Sequence, residues 1–311
     1  MEKKISLVIP MFNAEKYIEK LLNKILSQTI VPDEIIAVDS QSDDKTVEIC
    51  RKFERVKVIE VKHTDYDYSG SCNKGILACE GSIVLTLSQD VMPIENDYIE
   101  KLIKPLIDDE RIAACSGRQI AYEDASLREK LTRNFNYKSV SFVRDKSDLS
   151  ELGIKAYFFS SSCSAYKKSA LLKIGMFEEP SLACPDMIVA SKLFDSGYRI
   201  AYVAEAKVYH SHDYSLKKQY ARNFDSGADL AINSRYFGNV KAESEGIKMV
   251  KYVLKELLKK GHFIMAVYYC LDCAAKLFGH RAGKRYKKLS DKQILKRTAN
   301  KNYWYRSGII S

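Results

Sequence analysis

The chain has 311 residues and a mass of 35.5 kDa, with 46% hydrophobic residues and 50 Lys plus Arg against 40 Asp plus Glu, a formal charge of +10. Such a length and apolar content suit one large or two modest domains with a real core, and exclude disordered, collagenous and disulfide-scaffold classes. Eight cysteines without paired CxxC clusters read as reduced cytosolic thiols.

The N-terminal MEKKISLVIPMFN carries a short apolar run broken by Pro10, and is expected to be neither a signal peptide nor a membrane span. Val- and Ile-rich runs of strand length lie at 5–10, 34–40, 56–61 and 82–88. Between them, 14–29 places Tyr17, Ile18, Leu21, Leu22, Ile25 and Leu26 on one helical face. The helical pattern at 44–54 follows the capping candidates Ser42, Asp43 and Asp44, and 72–79 is a third helix. Strands alternating with helices imply right-handed crossovers, so the expected fold is α/β, an open, mostly parallel sheet with helices on both faces. The middle, 91–160, is mixed, with helices at 97–108 and 126–140. A Ser-rich strand-like stretch at 156–168, a helix at 169–174 and a helix at 185–197 follow, Asp186 lying in the first turn of the last. Residues 198–212 read as two short strands leading to His210 and His212.

Residues 241–311 hold 17 Lys/Arg against 5 Asp/Glu, a net +12, which leaves 33 against 35, a net −2, in residues 1–240. The expected organisation is therefore a catalytic body over 1–240 and a basic helical C-terminal extension over 241–311, the composition shifting near Asn239 to Gly246. Segment 247–278 sets Ile247, Val250, Val253, Leu254, Leu257 and Leu258 on one helical face. Two readings stay open for it: a basic amphipathic helix in an anionic membrane interface, or a hairpin packed on the body with a solvated basic face. Nucleic acid is not an expected partner, because the body carries no basic patch or binding module.

Open α/β sheets bind ligands outside the carboxyl ends of their strands, which here are Pro10 with Asn13, then Asp39, then Gln89 and Asp90. No G-x-G-x-x-G follows the first strand and no P-loop occurs, which argues against dinucleotide redox chemistry and P-loop hydrolysis. Asp39 ends a buried strand, and is either functional or part of the turn that follows. Asp90 is either a strand terminator or a carboxylate holding a divalent cation on phosphate oxygens. His210 and His212, two apart, face the same way if extended; imidazoles there are metal ligands or ordinary polar residues. Asp186 is either a helix-dipole partner or a general base.

Taken together, SLVIPMFNAEKYIEKLL, IIAVDSQSDDKT, YDYSGSCNKGILACEGSIVLTLSQDVMP, FFSSSCSAYKKSAL and PDMIVASKLFDSGYRIAYVAEAKVYHSHDYS resemble, in order over 4–216, the inverting family 2 glycosyltransferases of GT-A fold. Within that family the likeness is to the rhamnosyltransferase-like branch. The resemblance implies that Asp39 binds the donor's pyrimidine base in a pocket shaped by Pro10 and Asn13. It implies further donor contacts from Asn73 and Gln89, and Asp90 as the surviving carboxylate of the family's D-x-D, coordinating Mg²⁺ or Mn²⁺ on the diphosphate. Asp186 matches the general base, and His210 or His212 a further metal or diphosphate contact. Gln89 and Val91 flank Asp90 where the D-x-D pattern has other residues, Pro185 stands in place of a Glu, and Cys72 in place of an Arg. The expected activity is transfer of a sugar, with rhamnose a candidate, from a nucleotide diphosphate to a saccharide or lipid-linked saccharide in bacterial surface polysaccharide synthesis. The expected location is the cytoplasmic face of the plasma membrane, reached through 241–311. Alternatives are a sugar-nucleotide-binding protein without turnover, or a basic nucleic-acid-binding or scaffold protein.

Overall fold

Strands β1 (Ile5–Met11), β2 (Glu34–Asp39), β3 (Val56–Glu60) and β4 (Ile83–Leu87) form a parallel unit in the order β3-β2-β1-β4. The structure, a computed structural model, describes residues 4–63, 67–237 and 244–310. In β1 the period-two alternation is visible: Leu7 and Ile9 belong to one apolar cluster and Val8 to the other. Helices α1 (Ile18–Leu26) and α2 (Thr46–Cys50) cover the first face, while α3 (Tyr68–Ala78) covers the second. Helix α3 starts earlier than the apolar pattern indicates, because the Asp67 carboxylate caps it by accepting the Gly70 N–H at 2.9 Å.

The second half of the sheet follows through β5 (Met92–Pro93), α4 (Tyr98–Asp108), β6 (Ile112–Ile120), α5 (Leu127–Asn136), β7 (Phe142–Arg144) and α6 (Leu149–Leu152). Then come β8 (Cys163–Lys167), α7 (Lys168–Lys173), α8 (Pro185–Asp195) and β9 (Arg199–Tyr209). Strand β8 lies antiparallel between β4 and β6, and β6 pairs in parallel with β9. Consequently β1, β2, β3, β4, β6 and β9 all end at one edge. The expected pair of strands over 198–212 is one strand, whose register against β6 jumps between Gly117↔Val203 and Arg118↔Lys207. The bulge touches Gly117, where a Cβ would stand 2.7 Å from the Ala206 carbonyl oxygen. Strand β6, IAACSGRQI, has no counterpart among the expected elements: its small residues lack the β-branched signature, and burial alone makes it central. Of the expected strand at 156–168, only Cys163–Lys167 is extended.

Beyond the sheet lie α9 (Leu216–Ile232), α10 (Ser234–Phe237), α11 (Ser244–Lys259), α12 (Phe263–Lys284), α13 (Asp291–Arg297) and α14 (Lys301–Arg306). Most of the expected composition boundary falls on 238–243, outside the described residues. Segment 247–278 is not one helix, since a turn at Gly261 (φ +76°) separates α11 from α12. Helix α11 packs on α5 through Val253 and Leu257 beside Leu131, and α12 packs on α9. The α9–α12 crossing is backbone to backbone: Cβ atoms on Gly279 and Gly283 would fall 2.3 Å and 2.0 Å from the carbonyl oxygens of Tyr220 and Phe224. A separate cluster of Trp304, Tyr303, Tyr286 and Ile294 encloses Phe224 and Ala228 of α9. The C-terminal helices are thus packed on the body.

Candidate functional site

At the shared edge, β1 gives way to Phe12 and Asn13. Asn13 adopts φ +49°, a left-handed conformation that Asn tolerates better than most residues. Its N–H donates to Ser42 Oγ at 2.9 Å and its Oδ1 accepts the Asp43 N–H at 3.1 Å, joining the loops after β1 and β2. Asp39, 1% exposed, accepts the Ser42 N–H at 2.9 Å and the Ser42 hydroxyl at 2.5 Å. The turn role and the strand-end placement therefore coincide in one residue, and the carboxylate retains further lone pairs. Pro10 is buried in β1 opposite Val38. The exposed rings of Phe12 and His63, 4.7 Å apart, were not singled out by the sequence and flank this corner.

Gln89, just beyond β4, uses its carboxamide to clamp the backbone of Phe12, accepting its N–H at 2.8 Å and donating to its carbonyl at 3.0 Å. The adjacent Asp90 meets both histidines. His212 Nε2 lies 3.2 Å and His210 Nε2 3.7 Å from its carboxylate oxygens, and the two Nε2 atoms are 3.1 Å apart. One ligand atom from each of the three residues falls within 4.8 Å of the others, so the donor set fits a single cation. The 3.2 Å approach is not an ordinary ion pair, because burial pushes His212 below its usual range and drives His210 down to about 3. Neutral imidazoles are the metal-binding form.

Gln119, at the end of β6, sets the tautomer of His210. Its Nε2 donates to Ser160 Oγ at 2.7 Å, which assigns Oε1 as the acceptor facing His210 Nδ1 at 2.9 Å, and Arg133 donates to the same oxygen. His210 Nδ1 must then carry the proton, leaving the Nε2 lone pair toward Asp90. Gln119 escaped sequence reasoning because it lies in the unforeseen β6. Tyr122, whose hydroxyl donates to the Asp90 carbonyl at 3.2 Å, has no sequence signal of its own.

Asp186 occupies the first turn of α8 behind Pro185, which suits a first helical position. Its oxygens accept the Met187 N–H at 3.0 Å and the Ser161 N–H at 3.4 Å. Ser161 precedes β8, and Ser88 donates to the Ser162 carbonyl at 3.0 Å, so Asp186 stands at the same sheet edge as Asp90. Burial pushes its carboxyl up to about 6 although the residue keeps some exposure, the condition of a base that is poorly solvated yet reachable. Asn73 stands apart from this group. It is 5% exposed and both ends of its carboxamide bond the backbone of Phe177, at 3.0 Å and 3.1 Å. Cys72 lies in the apolar cluster beneath α3, so its departure from the family pattern falls in the core.

A cavity of about 370 Å³ opens on Asp90, His212, Tyr17, Tyr122 and Asp213. A larger one, about 900 Å³, lies by the α11–α12 turn and has Asp213 in its wall too. Among described residues no helix is long and apolar enough to cross a membrane.

The profile of Glycosyl transferase family 2 matches residues 6–175. The chain is 34% identical over 305 residues to the O-antigen chain rhamnosyltransferase RfbN of Salmonella typhimurium, covering 97% of this chain and 96% of that one. It is 32% identical to the O-antigen chain rhamnosyltransferase WbaN of Salmonella anatum, over 96% and 95% of the two chains. In fold it is similar to the mannosyltransferase PcManGT of Pyrobaculum calidifontis in complex with GDP-Man and Mn²⁺, with TM-score 0.62 at 16% identity over 94% of this chain and 88% of that one. The strand-end acids, the GT-A architecture and near full-length identity converge: the chain belongs to glycosyltransferase family 2.

Proposed function

We propose that this chain transfers a rhamnosyl residue, with inversion, from a nucleotide diphosphate to a saccharide or lipid-linked saccharide during assembly of a bacterial surface polysaccharide. The observation that carries the reading is Asp186, a carboxyl raised to about 6 at the sheet edge where Asp39 and Asp90 also lie. The sugar rests on the two relatives named as O-antigen chain rhamnosyltransferases. Asp39 would accept a hydrogen bond from the base, with Pro10 and Asn13 shaping that corner, and Gln89 would hold the Phe12 loop beside it. Ionised Asp186 removes the proton of an acceptor hydroxyl; the oxygen attacks the anomeric carbon opposite the nucleotide, the bond to the diphosphate breaks, and configuration inverts. Single displacement needs no covalent sugar–enzyme intermediate and hence no second carboxylate. Asn73, its carboxamide already bonded, would act by fixing Phe177.

Asp90, His210 and His212 would hold a divalent cation, which when bound offsets charge developing on the departing diphosphate. Two imidazoles with one carboxylate favour Mn²⁺ over Mg²⁺, because Mg²⁺ prefers oxygen ligands and gives up its waters reluctantly. The body over 1–240 would carry this chemistry and 241–311 would bring it to the inner face of the plasma membrane. A thermal-shift panel of nucleotide diphosphates and sugar nucleotides, with Mn²⁺ or Mg²⁺, tests the donor: a true donor raises the apparent melting temperature, most strongly with Mn²⁺. Turnover of the same donor should fall by roughly 10²- to 10⁴-fold in Asp186→Asn while the thermal shift persists. A shift without turnover in the unaltered protein would instead identify a sugar-nucleotide-binding protein.

A further inference from the structure

Helix α12 is inverted relative to an ordinary surface helix. Its mid-helix charges face inward: Asp272 is 1% exposed, with Arg128 at 3.3 Å and Lys276 at 2.7 Å. Its large apolar residues face outward, Phe263 being 65%, Ile264 89%, Val267 64%, Leu271 53% and Phe278 61% exposed. At the helical period Ile264, Val267, Leu271 and Phe278 share an arc of about 60°. The opposite face is occupied by Gly279 and Gly283 against α9 and by Ala266 and Tyr269 in the cluster with α11 and α5. Both ends of the apolar stripe are cationic, with exposed Lys259 and Lys260 before it and exposed Arg281, Lys284, Arg285, Lys287 and Lys288 after it.

We propose that the Phe263–Phe278 face of α12 docks on the surface of an anionic lipid bilayer. The apolar stripe enters the boundary between headgroups and acyl chains, and the flanking Lys and Arg side chains meet lipid phosphates. An apolar stripe alone suits any apolar partner; cations at both of its ends select an anionic one. This deepens the membrane role proposed above for 241–311 and rests on it. The docked orientation also has a consequence for access. Phe263 and Ile264 line the cavity of about 900 Å³ whose wall includes Arg128, Tyr214 and Asp213, and Asp213 also borders the cavity holding Asp90 and His212. With α12 on the bilayer, that cavity opens at the lipid surface, beside the reaction site.

The test is flotation of the full chain with phosphatidylcholine vesicles, with and without about 30 mol% phosphatidylglycerol. The unaltered protein should float with anionic vesicles only and detach as salt rises. The double variant Val267→Glu, Leu271→Glu, altered at two exposed positions, should partition at least roughly tenfold more weakly. Val140→Glu, at an exposed apolar residue between α5 and β7 and outside the stripe (71% exposed), should float like the unaltered protein. Thermal melts of each variant establish that it is folded, and donor hydrolysis in vesicle-free buffer should be unchanged. Equal flotation of the double variant overturns the proposal, as does equal binding to neutral vesicles. A dimer that the double variant dissociates, without vesicle binding, makes the stripe a self-interface instead. Absent donor hydrolysis in the unaltered protein counts against the transferase reading and leaves the flotation result standing.

Discussion

In the proposed reaction Asp186 is the side chain that accepts the acceptor's proton. Because burial lifts its carboxyl from 3.8 to about 6, the ionised, proton-accepting form is lost as pH falls through about 6, and the transfer rate should fall with it. Asp186→Asn should lower turnover by roughly 10²- to 10⁴-fold while leaving nucleotide affinity within a factor of about two. The raised value also bears on stability. A folded state that favours the protonated form is stabilised by this group below about pH 3.8, and the contribution disappears as pH rises through about 6. The melting temperature of Asp186→Asn relative to the unaltered protein should therefore climb across that window. Gln119 acts one step removed, by orienting His210. Gln119→Ala should weaken Mn²⁺ binding, read from the Mn²⁺ electron paramagnetic resonance signal, by roughly 10- to 100-fold. The cluster of Asp90, His210 and His212 would remain, so that loss would come from orientation alone.

Among the elements, α9 and α12 make the contact least tolerant of change. Glycine at 227, 279 and 283 lets two backbones meet, and a Cβ on Gly227 would stand 2.1 Å from the His280 carbonyl oxygen. Gly283→Ala should therefore destabilise the fold by about 1–3 kcal/mol, measured by urea unfolding, although alanine is the better helix former. Trp304 is 0% exposed in the cluster that encloses Phe224, and Trp304→Ala should remove about 3–5 kcal/mol. Deleting 241–311 would strip α9 of both partners, so surface substitutions on α12 separate location from folding where truncation does not. Strand β9 shows a second kind of dependence. Its bulge at 204–206 fits against Gly117, and the strand then continues to Tyr209, directly before His210.

At the scale of the whole molecule, the parallel direction of six strands gathers acids that are scattered along the chain onto one edge. Asp39 and Asp90 are 51 positions apart in the numbering and Asp186 lies 96 beyond Asp90, yet Asp39 ends β2, Asp90 follows β4 and Asp186 faces the loop entering β8. Charge is distributed just as unevenly, with the excess carried by 241–311. If Asp90, His210 and His212 hold the proposed cation, chelation followed by add-back should restore transfer with Mn²⁺ more fully than with Mg²⁺, because two imidazoles suit Mn²⁺ better.

Strand and helix alternation, the strand-end aspartates and the His-x-His were legible in the sequence because each depends on local patterning: two-residue and helical periods, capping chemistry, a carboxylate ending an apolar run. Only the tertiary structure revealed β6, since Ala, Cys, Ser and Gly encode burial but no strand preference, and with β6 came Gln119 and the tautomer of His210. It likewise decided which face of α12 turns outward. Hydrophobic periodicity assigns large apolar residues to the core, but α9 offers a backbone contact that only glycine can meet. The larger side chains are therefore left on the surface.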